Sequence, residues 1–139
     1  MMGLRGRIFL GGLSPELRRM ARILFVDDDP YTLETLTKAV ELFGHQAVLA
    51  SSGAEALKMA AAETPDLVFI DLMLPDMNGL EVVSQLSRQP AYADVPIYIL
   101  SAAPEKENWE HARSVGARAY INKPMRLQTL LDFVQEMPG

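Results

Sequence analysis

The residues with chemistry to offer stand at the ends of apolar runs. Ile23-Leu24-Phe25-Val26 ends in Asp27-Asp28-Asp29-Pro30, and Leu67-Val68-Phe69-Ile70 ends in Asp71. Val95-Pro96-Ile97-Tyr98-Ile99-Leu100 ends in Ser101, and Ala119-Tyr120-Ile121-Asn122 leads into Lys123-Pro124. If Asp27, Asp28 and Asp71 met, they would repel one another. Two like charges about 4 Å apart oppose each other by roughly 4 kcal/mol at an effective dielectric of 20. Such a cluster protonates, pairs with a cation or binds a metal. All-oxygen donors without histidine or cysteine suit a hard ion, so magnesium or manganese is favoured over zinc. Magnesium keeps its waters and seeks phosphate oxygens, which suggests that a phosphoryl group shares the site. Lys123 then supplies a mobile point charge for phosphate and Ser101 a hydroxyl donor. Asp71 is the natural nucleophile of this set, since carboxylates form aspartyl phosphates.

Each residue also has a plainer reading. Asp71 can cap a helix or start a turn. Asp27 to Asp29 can form an acidic cap, favourable at the positive end of a helix dipole. Lys123 before a proline can be a solvated lysine, and Ser101 at a strand end says nothing alone. Pro75 and Gly79 read as turn residues shaping the loop after Asp71.

What separates the readings is the elements that carry these residues. Ile23 to Val26 suits a strand buried on both faces, as in a parallel sheet. Leu33, Leu36, Val40 and Phe43 recur at helical spacing, with Gly44 as the stop. Gln46 to Ala50 is a second strand, and Ser52-Gly53-Ala54-Glu55 opens an alanine-rich helix that ends before Pro65. The run before Asp71 is a third strand, and Gly79 to about Ser87 is a helix turning Leu80, Val83 and Leu86 inward. Val95 to Ser101 is a fourth strand, followed by a polar helix from about Pro104 to Val115. Ala119 to Asn122 is a short fifth strand, and Leu127, Leu130, Leu131 and Val134 mark a last amphipathic helix. Five strands alternating with five helices require a parallel sheet with helices on both faces and right-handed crossovers. In such α/β sheets the site lies beyond the carboxyl ends of the strands, where strand order reverses. Asp27, Asp28, Asp29, Asp71, Ser101 and Lys123 all fall on that edge.

Composition is consistent with one domain. The chain has 139 residues, 49% of them apolar and 22% charged, which is globular and too short for two independent cores. No apolar run approaches the roughly 20 residues that cross a bilayer. Ile8-Phe9-Leu10 is shorter than the about 7–15 apolar residues of a signal-peptide core. No cysteine is present, so there is no disulfide framework and no thiolate metal site, which a cytoplasmic setting accommodates. Residues 1–22 carry Arg5, Arg7, Arg18, Arg19 and Arg22 against Glu16, a balance of +4 in a chain whose total is −5, leaving −9 for the rest. An acidic body disfavours direct nucleic-acid binding by the folded domain. Residues 1–21 read as a basic extension and residues 22–139 as the domain. Ser14-Pro15-Glu16-Leu17 has helix-start chemistry, so a short helix is one reading of the extension; Met20 as the natural start is the other.

These elements in register resemble a response-regulator receiver domain of two-component signalling, of the CheY-like superfamily. The matching residues are Asp27-Asp28 after Leu24-Phe25-Val26, Asp71 with Pro75 and Gly79, Ser101-Ala102, Tyr120, and Lys123-Pro124, spread over about residues 22–137. The resemblance implies a flavodoxin-like sheet of order 2-1-3-4-5. It implies that Asp28, Asp71 and the Met73 backbone carbonyl bind Mg²⁺ directly and that Asp27 acts through water. It implies that Asp71 takes a phosphoryl group from the phosphohistidine of a histidine kinase or phosphotransfer protein, while Ser101, Ala102 and Lys123 hold its oxygens. Pro75, Gly79 and Pro124 would shape the flanking loops. A switch follows by the same resemblance. Ser101 moves toward the phosphoryl group, Tyr120 turns inward from a half-buried resting place, and the face of fourth helix, fifth strand and fifth helix changes its affinity for an output partner. A monomer or a phosphorylation-dependent dimer is expected, with no membrane contact.

The chain departs from the family at several places. Met125 follows Lys123-Pro124 where phenylalanine is common. Arg118 stands two before Tyr120 where one large subfamily of DNA-binding regulators favours an acid. Met73 and Ala103 flank the site where other receivers carry polar residues that position water, so slow self-dephosphorylation is expected. Three competing readings belong to other classes. A haloacid-dehalogenase-like phosphatase would use the Asp-x-Asp of Asp27 to Asp29, but it usually needs more chain and leaves Asp71 and Lys123 unexplained. A flavin carrier would suffer repulsion between the strand-one acids and the cofactor phosphate. A phosphorylation-independent interaction module would hold the same residues idle.

Overall fold

Each strand of the sheet is a short apolar run whose side chains alternate between two cores. The structure, a computed structural model, describes residues 20–136. In chain order the elements are β1 (Arg22–Val26), α1 (Pro30–Leu42), β2 (Gln46–Ala50), α2 (Gly53–Ala62), β3 (Leu67–Ile70) and α3 (Gly79–Ser87). A single 3₁₀ turn at Pro90–Tyr92 then leads to β4 (Ile97–Ser101), α4 (Glu105–Val115), β5 (Ala119–Asn122) and α5 (Leu127–Glu136). The strands form one parallel sheet of order β2-β1-β3-β4-β5. This is the expected flavodoxin-like architecture. The short helix expected at Ser14-Pro15 lies outside the described residues.

Alternation along the strands divides the interior. Leu24, Val26, Val68, Ile70, Ile97 and Ile99 face one way and pack under α2, α3 and α4, where Ala56, Ala60, Val82, Val83, Leu86 and Ala112 meet them. Ile23, Phe25, Leu67, Phe69, Tyr98 and Leu100 face the other way, under Leu33, Leu36 and Val40 of α1 and Leu130 and Val134 of α5. On that second face Phe25 stacks on Phe69 at 5.6 Å between ring centroids, and Tyr98 lies 4.5 Å from Phe133. Strands buried on both faces read as continuous apolar runs, which is why β1, β3 and β4 lack polar alternation.

Local chemistry explains where the helices begin. Asp29 caps α1: its carboxylate accepts from the Tyr31 N–H and the Thr32 hydroxyl, and Pro30 takes the first helical position. Ser52 caps α2 by accepting from the Glu55 N–H, while the Glu55 carboxylate accepts from the Ser51 N–H. Asn78 caps α3 through the Leu80 N–H.

Two boundaries and one side chain's burial differ from expectation. Phe43 ends α1 rather than joining its buried stripe and is 49% exposed, because the helix stops at Leu42 and Gly44 turns the chain with φ 86°. β4 begins at Ile97, not Val95. The Val95 N–H bonds to the Tyr92 carbonyl, so the preceding turn claims that segment. Leu127 is exposed at the start of α5, where Leu130 and Val134 make the buried contacts.

Candidate phosphoacceptor site

The parallel register lines up the strand ends. Val26 pairs with Ile70, Ile70 with Ile99, and Ser101 with Asn122. The residues just past β1, β3 and β5 are therefore neighbours although they stand far apart in the chain. Asp27 and Asp71 are buried there, and Ser101 is fully buried. The Asp71 N–H bonds to the Val26 carbonyl, and the Lys123 N–H bonds to the Ser101 carbonyl, so the sheet ladder itself places these residues.

Their side chains converge on Asp71. The Lys123 ammonium lies 2.9 Å from Asp71 Oδ2 and 2.6 Å from Asp27 Oδ2, bridging the two acids. The Ser101 hydroxyl donates to Asp71 Oδ1 at 2.7 Å, and the Met73 N–H reaches the same oxygen at 3.2 Å. The Asp29 N–H donates to Asp27 Oδ1. Oxygens of Asp27, Asp28 and Asp71 lie within 4.8 Å of one another, with Asp28 on the open side. Three carboxylates without a nitrogen or sulfur donor fit a hard divalent cation. Like charge drawn together at the end of a buried sheet also demands a positive partner, which Lys123 supplies in part.

Electrostatics follow from burial and pairing. Burial pushes the Asp27 carboxyl above its usual range, against the opposing pull of the Lys123 hydrogen bond. Burial acts on Lys123 in the other direction, yet its bonds to Asp27 and Asp71 outweigh it and hold the ammonium above its ordinary value. Asp29 is held low, chiefly by the Thr32 hydroxyl. The acidic triplet thus divides: Asp29 is the helix cap, while Asp27 and Asp28 join Asp71.

Residues 23–135 match the family model of the response regulator receiver domain. The chain belongs to that family. It is a receiver domain, a signalling domain of two-component systems. Over 112 residues it is 35% identical to protein PilH of Pseudomonas aeruginosa, covering 81% of this chain and 93% of PilH. It is 36% identical over 112 residues to the transcriptional regulatory protein KdpE of Mycobacterium tuberculosis, covering 81% of this chain. There the match spans only 48% of the relative, so the chain covers about half of that regulator's length. Among solved structures, the chemotaxis response regulator CheY4 of Vibrio cholerae superposes with a TM-score of 0.79 at 29% identity, covering 86% of this chain and all of CheY4. No helix among the described residues is long and apolar enough to cross a membrane.

Ala102 lies exposed just past Ser101, and Met73 is 69% exposed beside Asp71. Tyr120 is half-buried on β5, and its hydroxyl donates to the Ala103 carbonyl at 2.6 Å. Burial comes first in raising its phenol. Pro75 is exposed at the loop tip, and Pro124 follows Lys123 through a cis peptide. Gly79 is buried against the backbone of Asp71: a Cβ there would collide with the Asp71 carbonyl oxygen. Its N–H also bonds to the Leu72 carbonyl at 2.7 Å. The loop reading of Gly79 is therefore a close-packing requirement as well as a turn.

One residue of the site's surroundings was not singled out from sequence. Asp76, at the tip of the β3–α3 loop, accepts from the Gly53 N–H at 2.8 Å and the Ala54 N–H at 2.9 Å. It fastens this loop to the first turn of α2. An aspartate after proline in a loop reads locally as a turn former, and nothing nearby reveals partners more than twenty residues away.

Proposed function

We propose that this receiver is a phosphoacceptor switch in which Asp71 takes a phosphoryl group from the phosphohistidine of a sensor histidine kinase or phosphotransfer protein. The observation that carries this reading is the Asp71 carboxylate held between the Lys123 ammonium and the Ser101 hydroxyl. A carboxylate oxygen of Asp71 attacks phosphorus, the P–N bond breaks, and its electron pair returns to the partner's imidazole. Asp71 becomes a mixed anhydride, and the donor histidine is restored. Lys123 exchanges its bond to the carboxylate for one to a phosphoryl oxygen, and Ser101 and the backbone at Ala102 take the others. Asp28, Asp71 and the Met73 carbonyl would hold Mg²⁺, with Asp27 acting through water and Mn²⁺ as a substitute. The cation's chemistry there is to offset the charge gathered by acids and phosphoryl group.

Ser101 and Tyr120 form the switch, and the α4–β5–α5 face carries the change to an output partner or domain. The reading is of a signalling module of the cytoplasm, monomeric or dimerising on phosphorylation, with no direct contact to nucleic acid or membrane. It is not an enzyme in the sense of repeated turnover, because Met73 and Ala103 offer no group to orient a water. Residues 22–139 constitute the receiver and residues 1–21 a basic extension of it.

The test is incubation with acetyl phosphate and Mg²⁺, followed by intact-mass spectrometry. Wild type should gain one phosphoryl group and lose it with a half-life of minutes or longer, and Asp71→Asn should gain none. Equal labelling of the variant would remove Asp71 as acceptor, and decay within seconds would remove the claim of slow self-hydrolysis. No labelling of wild type, with no response to beryllofluoride, would favour a phosphorylation-independent interaction module. Steady release of phosphate surviving the substitution would favour a phosphatase.

A further inference from the structure

The loop that follows Asp71 is tied down at both ends, and by different means. At its base Met73 pairs with Asn78 in a short antiparallel bridge, and the Gly79 N–H bonds to the Leu72 carbonyl. At its tip the attachment is to another element altogether. The two oxygens of Asp76 each accept one N–H from the opening turn of α2, at Gly53 and Ala54. Beside them the Met77 side chain fills the space over Gly53, where a Cβ would collide with it. These two backbone bonds lower the Asp76 carboxyl below its ordinary value, although the residue is exposed.

The α2 helix does not need Asp76 to begin. Its own cap, Ser52, already accepts from the Glu55 N–H, and Glu55 reaches back to the Ser51 N–H and hydroxyl. The Asp76 bonds are thus placed to hold the loop as much as the helix. The loop needs holding because Met73 is mostly exposed and has no buried side chain to anchor its backbone. The Met73 N–H nevertheless has to stay on Asp71 Oδ1, which it reaches at 3.2 Å.

We propose that Asp76 is a positioning residue for the cation and phosphoacceptor site, clamping the loop that carries Met73 onto the N-terminus of α2. The proposal rests on the reading of Asp28, Asp71 and the Met73 carbonyl as the Mg²⁺ ligands. Asp76 touches neither cation nor phosphoryl group; it acts through the loop backbone. Because coupling between two sites is reciprocal, Mg²⁺ binding should in turn steady the Asp76–α2 bonds.

The experiment is calorimetric titration of the full chain with MgCl₂, run on wild type, Asp76→Ala, Asp76→Asn and Ser52→Ala, alongside thermal melts in EDTA. Residues that orient metal ligands from outside the coordination sphere change affinity by about 10-fold or more. Asp76→Ala should therefore raise the Mg²⁺ Kd about 10-fold, and Asp76→Asn, which keeps one acceptor oxygen, by less. Ser52→Ala removes a cap of the same helix without touching the loop, so it should lower the melting temperature and leave the Kd unchanged. Amide exchange at Gly53 and Ala54 should slow in wild type when Mg²⁺ is added. If Asp76→Ala and Asp76→Asn melt lower but bind Mg²⁺ as wild type does, Asp76 is only a helix cap and the proposal is wrong. If wild type itself binds no Mg²⁺, the reading of the metal site fails first and takes the proposal with it.

Discussion

Asp27 shows how one side chain trades stability for chemistry. It is buried at the end of β1 with Lys123 2.6 Å away, and burial still leaves its carboxyl easier to protonate than in the unfolded chain. A carboxyl raised by folding stabilises the folded state fully below its unfolded value of 3.8, and loses that contribution as pH climbs through the folded value. At neutral pH the ionised Asp27 is therefore a net burden on the metal-free protein. Asp27→Asn in EDTA should be more stable than wild type at pH 7. The gap should shrink as the pH falls toward 4. Urea denaturation at the two pH values measures it, and a variant less stable than wild type at pH 7 would contradict the argument. Lys123 carries the opposite sign. Its ammonium is raised by Asp27 and Asp71, so its contribution is present below about 10.5 and is lost only at more alkaline pH.

Among the elements, the β3–α3 loop is held at four points. Its start is held by the sheet, its base by the Met73–Asn78 bridge, its tip by Asp76 on α2, and its end by Gly79 against Asp71. Gly79→Ala puts a methyl group into the Asp71 carbonyl, and backbone cannot swing aside as a side chain can. Overpacking of this kind costs about 1–3 kcal/mol. The variant should show that loss in a denaturant midpoint, together with weaker Mg²⁺ binding. A stability and affinity equal to wild type would mean that the loop is softer than its contacts indicate. The identity of this loop was legible in Pro75 and Gly79, but its anchoring was not. Helix α2 was equally legible from Ser52-Gly53-Ala54-Glu55, while its partner Asp76 was not. The β4 start was misread for a related reason. Val95 is apolar and suits a strand, but its N–H is taken by the Tyr92 carbonyl.

At the scale of the molecule, the described residues build two cores on the two faces of one sheet. The family match over residues 23–135 covers the same span. A chain beginning at Met20 should therefore unfold in one cooperative transition, with a melting temperature within a few degrees of the full chain. A broad or much lower transition, followed by circular dichroism, would show that residues 1–19 contribute to the fold.

Local patterning along the chain is enough to set the elements and the side of the sheet on which chemistry would lie. Apolar runs, helical spacing and capping residues report the burial of each segment, and that information is local. They placed Asp27, Asp71, Ser101 and Lys123 at strand ends with almost no error. Which strand lies beside which is not a local property. The order β2-β1-β3-β4-β5, which the family resemblance implied but local patterning does not report, brings Asp27 and Asp71 to one ammonium across separations of up to 96 residues in the chain. The tertiary structure also divided the acidic triplet, giving Asp29 to the helix and leaving Asp27 and Asp28 to the site. And it alone joined Asp76 to α2, because a carboxylate in a loop carries no mark of the helix whose amides it will meet.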